Sequence, residues 1–152
     1  MEELVTLSIG IGLVISFAFS EFLGLAAGGM VVPGYVALYL HKPLFVLVTL
    51  LVSYLTYFIV HALSAVMIIY GRRRTVMMIL VGYALGAMTR SFGALEFSAA
   101  VIDLSIIGYI IPGLIAIWID RQGLLESLSA LLIASVLVRL ALILIYGGDV
   151  AI

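Results

Sequence analysis

The residues most able to do chemistry in this sequence are two Pro-Gly pairs. One lies in VVPGYVAL (31–38) and the other in IIPGLIAI (110–117), so each pair interrupts an apolar run. Proline lacks an N–H and fits the first turn of a helix, and glycine lets a backbone or a ligand come close. A helix that begins at such a pair presents unpaired N–H groups and a positive dipole end, which favours anion binding. The predicted anion-contacting residues are Pro33, Gly34, Pro112 and Gly113.

The same pairs also have a purely structural explanation. Proline can kink a continuous membrane helix, because neighbouring groups satisfy the backbone atoms that it frees. Interrupted helices in corresponding positions of two chain halves instead indicate a binding site near the bilayer midplane. The pattern alone leaves a kinked helix and a helix start equally open.

Ionisable residues in or beside the apolar runs form a second group. Arg139 lies within the run 124–146, where it either snorkels to the interface or pairs with an acid. Glu21 and Asp103 are the candidate acids. His61 either hydrogen-bonds inside the bundle, or acts as a proton relay or polymer contact in a polar lining. We therefore predict that Glu21, His61, Asp103 and Arg139 are buried polar or ion-paired residues.

Several classes of function are excluded by what the sequence lacks. There is no cysteine, and two histidines do not make a convincing zinc site. No GxxxxGK[ST] loop, GxGxxG motif or Ser-His-Asp arrangement is evident. A net charge of −1 offers no basic field for nucleic acid. We predict no metal, no cofactor and no catalytic residue, and leave open a contribution to an active site within a complex.

Membrane helices must position these residues. Of the 152 residues, 66% are hydrophobic and 10% are charged, whereas a soluble domain has about half and about a quarter. A chain this short cannot bury so much apolar surface in a core of its own. Lipid must be its solvent, and the predicted fold class is an all-α polytopic membrane protein.

Six apolar runs make up one membrane domain over residues 1–152. A helical crossing takes about 20 residues, which the runs 44–70 and 124–146 provide and the two Pro-Gly runs do not. Either all six cross, or four cross and the Pro-Gly segments are re-entrant or broken. The dense cluster Arg72, Arg73 and Arg74 belongs on the cytoplasmic face by the positive-inside rule, and six crossings put the acidic chain ends outside.

The two halves of the chain align as an internal repeat. VVPGYVALYL and IIPGLIAIWI match around Pro-Gly, and each precedes a polar break and a long apolar run. This predicts two units of three hydrophobic segments, at approximately 4–71 and 75–146. Units that cross an odd number of times are inverted relative to one another. Small residues at helical spacing, among them Gly12 and Gly82, predict close helix packing.

Four stretches resemble a known family. GGMVVPGYVALYL (28–40), SYLTYFIV (53–60), IIYGRRR (68–74) and IIPGLIAIWIDRQGL (110–124) are similar to the membrane subunit of bacterial poly-γ-glutamate synthase, the PgsC/CapC family. The resemblance implies a plasma-membrane subunit that works with a cytoplasmic ATP-dependent amide ligase. It also implies a further membrane-attached subunit, and a complex that makes and exports poly-γ-glutamate as capsule or slime.

Such a polymer gives the cationic residues a role. Each unit carries a free carboxylate and cannot cross hydrocarbon unaided, so helix N-termini at the Pro-Gly pairs and Arg121 are expected to bind it. Arg72, Arg73 and Arg74 are expected to dock the ligase or to bind lipid head groups. The chain would then help polymer elongation or translocation, with self-association left open. The alternative is a stand-alone small transporter or permease subunit with a midplane anion site.

Overall fold

The computed structural model describes residues 2–93 and 110–148, which form six α-helices. They are α1 (Glu2–Leu23), α2 (Val32–Tyr39), α3 (Pro43–Val66), α4 (Arg72–Gly93), α5 (Ile111–Gln122) and α6 (Leu124–Tyr146). Within these ranges, α1, α3 and α6 are long and apolar enough to cross a membrane. At about 12 and 18 Å, α2 and α5 are too short to cross alone. The predicted all-helical membrane fold class is confirmed.

Both Pro-Gly pairs lie in the first turn of a helix. α2 begins at Val32 and α5 at Ile111, each with proline at one of its first two positions. The fixed φ of proline and its missing N–H suit that place. Residues 24–31 are not helical, so Pro33 starts a helix and does not kink one.

The arginine cluster and the outer ends of α1 and α6 lie at opposite ends of the bundle. Glu2 and Tyr146 line one cavity, and α6 leads from Tyr146 back to Leu124. Just before Leu124, Asp120 pairs with Arg74 at the start of α4. We call the end that holds Arg74 and Asp120 the arginine-bearing end. Six crossings would also place these two ends on opposite sides of the membrane. The number of crossings and a cytoplasmic arginine-bearing end stay predictions.

The connection from α1 to α2 returns into the bundle as non-helical chain. Gly28 and Gly29 adopt φ values of 74° and 113°, which glycine reaches without the steric cost that other residues incur. Ala27 and Gly28 are buried, and Gly28 faces the side chains of Ile115 and Leu131. Non-helical backbone at membrane depth is tolerated only inside protein or beside water. The enclosure of residues 27–28 by α5 and α6 meets that condition.

Two matching contacts hold the short Pro-Gly helices. A Cβ atom on Gly12 would lie 2.7 Å from the nitrogen of Gly34, and one on Gly82 would lie 2.6 Å from the nitrogen of Gly113. α2 therefore packs on α1 through glycine backbones, as α5 packs on α4. The predicted close packing is confirmed at Gly12 and Gly82, while the three-segment repeat units remain a prediction.

The two short helices share the centre of the molecule with the long helices around them. The buried cluster there is wholly apolar except for a tyrosine hydroxyl, and comprises Val32, Tyr35, Val36, Val46, Ile111, Ile115, Ile119 and Leu131. Apolar side chains on the outer faces of α1, α3 and α6 are exposed in the isolated chain. Those outer faces suit contact with acyl chains.

Candidate functional site at the arginine-bearing end

Three helices contribute the side chains around the ion pair at the arginine-bearing end. Arg74 comes from the first turn of α4, Asp120 from the last turn of α5, and His61 from the final two turns of α3. Arg74 Nη2 donates to Asp120 Oδ1 at 2.5 Å and lies 3.4 Å from His61 Nδ1. The paired side chains are 24% and 23% exposed, so water screens the ion pair only in part. A charge-assisted bond of this kind ties α4 to α5.

A cavity of about 410 Å³ opens beside this ion pair. Its lining residues come from the start of α4 and the end of α5: Gly71, Arg72, Arg74, Thr75, Met78, Ile117, Asp120 and Arg121. Three arginines against one aspartate leave an excess of two positive charges in this lining. A concave surface with such an excess attracts anions.

Arg121 is held in place by an aromatic ring. Its guanidinium carbon lies 5.6 Å from the centroid of the Trp118 ring, within the range of a cation–π interaction. Trp118 in turn packs beside Gly29 of the returning segment. Arg121 itself is exposed, so stacking orients its guanidinium while its N–H donors remain accessible.

Arg72 and Arg73, the other members of the predicted cluster, are exposed at the start of α4. Arg72 lines the cavity, whereas Arg73 is absent from its lining. Neighbouring residues on a helix point in different directions, which accounts for the difference. The predicted cluster therefore divides into two cavity residues, Arg72 and Arg74, and one residue on the outer surface.

The Pro-Gly pairs lie apart from this cavity and are buried in the bundle. A Cβ atom on Gly34 would lie 2.6 Å from the carbonyl oxygen of Ser8, and one on Gly113 would lie 2.9 Å from that of Met78. The close approach that glycine permits is thus used by the backbones of α1 and α4. Polymer contact at these pairs remains a prediction, and it would require α1 or α4 to move.

Arg139 bonds to a main-chain carbonyl. Its Nη1 donates to the oxygen of Ala37 at 3.2 Å. Ala37 lies in the last turn of α2, where carbonyls lack an intrahelical partner and the dipole favours a cation. Glu21, one of the two candidate acids, is exposed near the far end of α1, and within the described residues it forms no ion pair with Arg139. Asp103 lies outside the described residues.

His61 lies at the surface of the described bundle. Its side chain is exposed in the isolated chain, not buried as expected. It nonetheless approaches Arg74 and stacks at a tilt on Tyr57, with 5.7 Å between ring centroids. His61 therefore belongs to the rim of the arginine-bearing end.

Gln122 is the polar residue that sequence reasoning missed. Its Oε1 accepts from the N–H of Ala26 at 3.1 Å, and its Nε2 donates to the oxygen of Ala26. Ser16 Oγ similarly donates to the oxygen of Gly29 at 3.1 Å. These bonds satisfy main-chain groups of the returning segment that would be costly to leave unpaired in an apolar setting. In the sequence, the signal for this role is the amide side chain of Gln122 within the polar break at the end of α5.

Together these features define a multi-pass, all-helical membrane protein with a cationic cavity at one end. The family model described as "Capsule biosynthesis CapC" matches residues 11–128. The chain belongs to this family, and the resemblance seen in the sequence is confirmed.

Two curated relatives support the same family assignment. The chain is 40% identical over 131 residues to the "PGA biosynthesis protein CapC" of Bacillus subtilis (strain 168), with 82% of this chain and 84% of the relative covered. It is 38% identical over 127 residues to the "Capsule biosynthesis protein CapC" of Bacillus anthracis, with the same shares covered. No solved structure matches. The chain is therefore a multi-pass cell-membrane subunit of poly-γ-glutamate synthesis.

Proposed function

We propose that this chain docks the ATP-dependent amide ligase at its arginine-bearing end and helps the polymer elongate or cross the membrane. The observation that carries the proposal is the gathering of Arg72, Arg73, Arg74 and Arg121 at one end of the bundle. The sequence has no nucleotide loop, so activation of the monomer with ATP falls to another subunit. A subunit that handles an anionic product needs cationic groups where that product arrives.

The docking contact is assigned to the exposed pair Arg72 and Arg73. Both lie on the first turn of α4, directly after the turn at Gly71. Guanidinium groups bind carboxylates with two parallel hydrogen bonds, so an acidic surface of the ligase is the complementary partner. Charge complementarity of this kind sets partner choice and association rate more than affinity.

Translocation, the second part of the proposal, requires a change in the central packing. The cavity between α2, α3 and α5 measures about 10 Å³, which is about the smallest volume that holds one water. A polymer strand therefore passes the Pro-Gly helices only if their contacts open. The alternative is that a second copy or the further membrane-attached subunit completes a route along the outside of this bundle.

Capture of the ligase by the tagged full-length chain tests docking. We expect the double variant Arg72→Gln, Arg73→Gln to lose most of the captured ligase, on the order of tenfold for a loss of about 1.4 kcal/mol. Lys42→Gln removes a positive charge at the opposite end of the bundle and serves as the matched control. Equal capture by the double variant and the control would remove the docking proposal.

The stand-alone transporter has less support, because both relatives carry names that place them in polymer or capsule biosynthesis. A separate measurement addresses it. Membranes that contain the chain without the ligase should not move free glutamate, whereas a transporter would move it.

A further inference from the structure

We propose that the cavity beside Arg74 binds two neighbouring carboxylates of a γ-amide-linked glutamate chain, and that Asp120 competes with one of them for Arg74. This inference rests on the proposed function, because the polymer must reach the arginine-bearing end. It adds a defined site, a ligand class and an internal competitor to that function.

The charge of the lining favours a ligand with two carboxylates. Within residues 2–93 and 110–148, Arg74 has a carboxylate partner in Asp120, while no ion pair is formed by Arg72 or Arg121. The lining keeps its excess of two positive charges. Two carboxylates on adjacent units of one strand would neutralise that excess, whereas a single carboxylate would leave half of it.

The guanidinium of Arg74 is incompletely hydrogen-bonded. Asp120 accepts from Nη2 alone, and Nε of Arg74 is buried without a hydrogen-bond partner. A buried donor without an acceptor costs about 1–3 kcal/mol. An arginine fork is best satisfied by two parallel bonds to one carboxylate. A ligand carboxylate that displaces Asp120 and engages both nitrogens would relieve this cost.

The rest of the cavity lining also matches a γ-linked glutamate strand. Met78 and Ile117 form an apolar wall beside the arginines, and Thr75 adds a hydroxyl. A γ-linked glutamate strand alternates carboxylates with pairs of methylene groups, so both kinds of surface have a counterpart. The phosphate of an anionic lipid is also negatively charged and is attracted to the same arginines. The experiment must therefore distinguish binding of the glutamate polymer from binding of lipid.

The test uses the full chain in nanodiscs of phosphatidylcholine, without the ligase, and a fluorescent γ-linked glutamate oligomer as the probe. We expect Arg72→Gln and Arg121→Gln each to weaken binding about tenfold, equivalent to about 1.4 kcal/mol. Because Arg73 is absent from the cavity lining, Arg73→Gln should change the affinity for the oligomer less than twofold. An otherwise identical γ-linked oligomer whose α-carboxylates are converted to amides (isoglutamine units) carries no carboxylates and should not bind.

Asp120→Asn distinguishes this site from a general cationic surface. It should tighten binding severalfold, because it removes the competitor for Arg74. Since loss of the ion pair can also loosen α5, thermal unfolding of each variant is measured alongside. The exposed Arg121 keeps the test decisive if the Asp120 variant does not fold.

Three results would overturn the inference. The first is equal weakening by Arg72→Gln, Arg73→Gln and Arg121→Gln, which indicates diffuse charge. The second is the absence of oligomer binding. The third is binding that phosphatidylglycerol in the nanodisc abolishes and that Asp120→Asn does not tighten, which indicates a lipid site. Ligase capture reports docking separately. If the unchanged chain does not bind the oligomer, while Arg73→Gln loses ligase capture, this site is ruled out and the docking proposal stands.

Discussion

The side chain of Gln122 and the main chain of Ala26 hydrogen-bond to each other in both directions across 96 positions of sequence. The contact joins the returning segment after α1 to the last residue of α5. Asp120 lies two positions earlier on α5 and holds Arg74. One short stretch of α5 thus supports both the non-helical chain inside the bundle and the cationic cavity. Movement of this stretch must affect both.

The first prediction concerns this amide. Gln122→Leu keeps the approximate volume but leaves the N–H and C=O of the half-buried Ala26 without partners, at a total cost of about 1–3 kcal/mol. Amide hydrogen exchange in residues 25–27 should accelerate by about tenfold or more. Ser129→Ala, at an exposed position of α6, is the control. Unchanged exchange in the Gln122 variant would show that other contacts hold the segment.

The glycine contacts give the second prediction. Gly12→Ala places a methyl group 2.7 Å from the backbone of Gly34, whereas Gly10→Ala meets nothing within 4 Å. Both changes raise helix propensity equally, so their difference reports packing alone. We expect Gly12→Ala to lower the free energy of unfolding in detergent by about 1–3 kcal/mol relative to Gly10→Ala.

The same comparison extends to the second Pro-Gly helix. Gly82→Ala should destabilise the protein as Gly12→Ala does, because a methyl group there would lie 2.6 Å from the backbone of Gly113. Equal stability of the Gly10, Gly12 and Gly82 variants would mean that α1 and α4 can draw away from the short helices at little cost. That outcome would favour an opening at these contacts.

The third prediction concerns the end of α2. Arg139→Leu leaves the carbonyl of Ala37 without its donor and should destabilise the protein by about 1–3 kcal/mol. Arg139→Lys keeps a cationic donor and should recover part of the loss. His41 Nδ1 lies 2.8 Å from the oxygen of Leu38 at an exposed position, so His41→Ala should have a smaller effect. Unfolding in detergent measures all three variants, and an Arg139→Leu protein as stable as the parent would contradict the assignment.

Composition and local spacing predicted the features that depend on a residue's immediate surroundings. The excess of apolar residues requires a membrane fold. The small residues Gly12 and Gly82 mark close helix contacts, since only they let backbones meet. The arginines at 72–74 mark one end of the bundle. Each of these follows from the chemistry of the residue itself.

Features that depend on distant partners could not be predicted in the same way. Pro33 fits a kink as well as a helix start, and the choice is settled by the non-helical residues 24–31, whose Ala26 bonds to the distant Gln122. The partner of Arg139 is a main-chain carbonyl, which no residue type marks in a sequence. Arg72 and Arg74 line the cavity, whereas Arg73 does not. This difference depends on how α4 is rotated against α5, which the sequence does not show.

The last prediction concerns orientation, and the chain suits it because it contains no cysteine. Glu3 and His41 are exposed at the end opposite the arginines, and Glu126 is exposed at the arginine-bearing end. Because the arginine-rich end should remain in the cytoplasm, single variants Glu3→Cys and His41→Cys should react with an impermeant maleimide on intact cells. Glu126→Cys should react only after permeabilisation. Labelling of Glu3→Cys and Glu126→Cys from the same side would contradict the opposed ends of this bundle and favour four crossings.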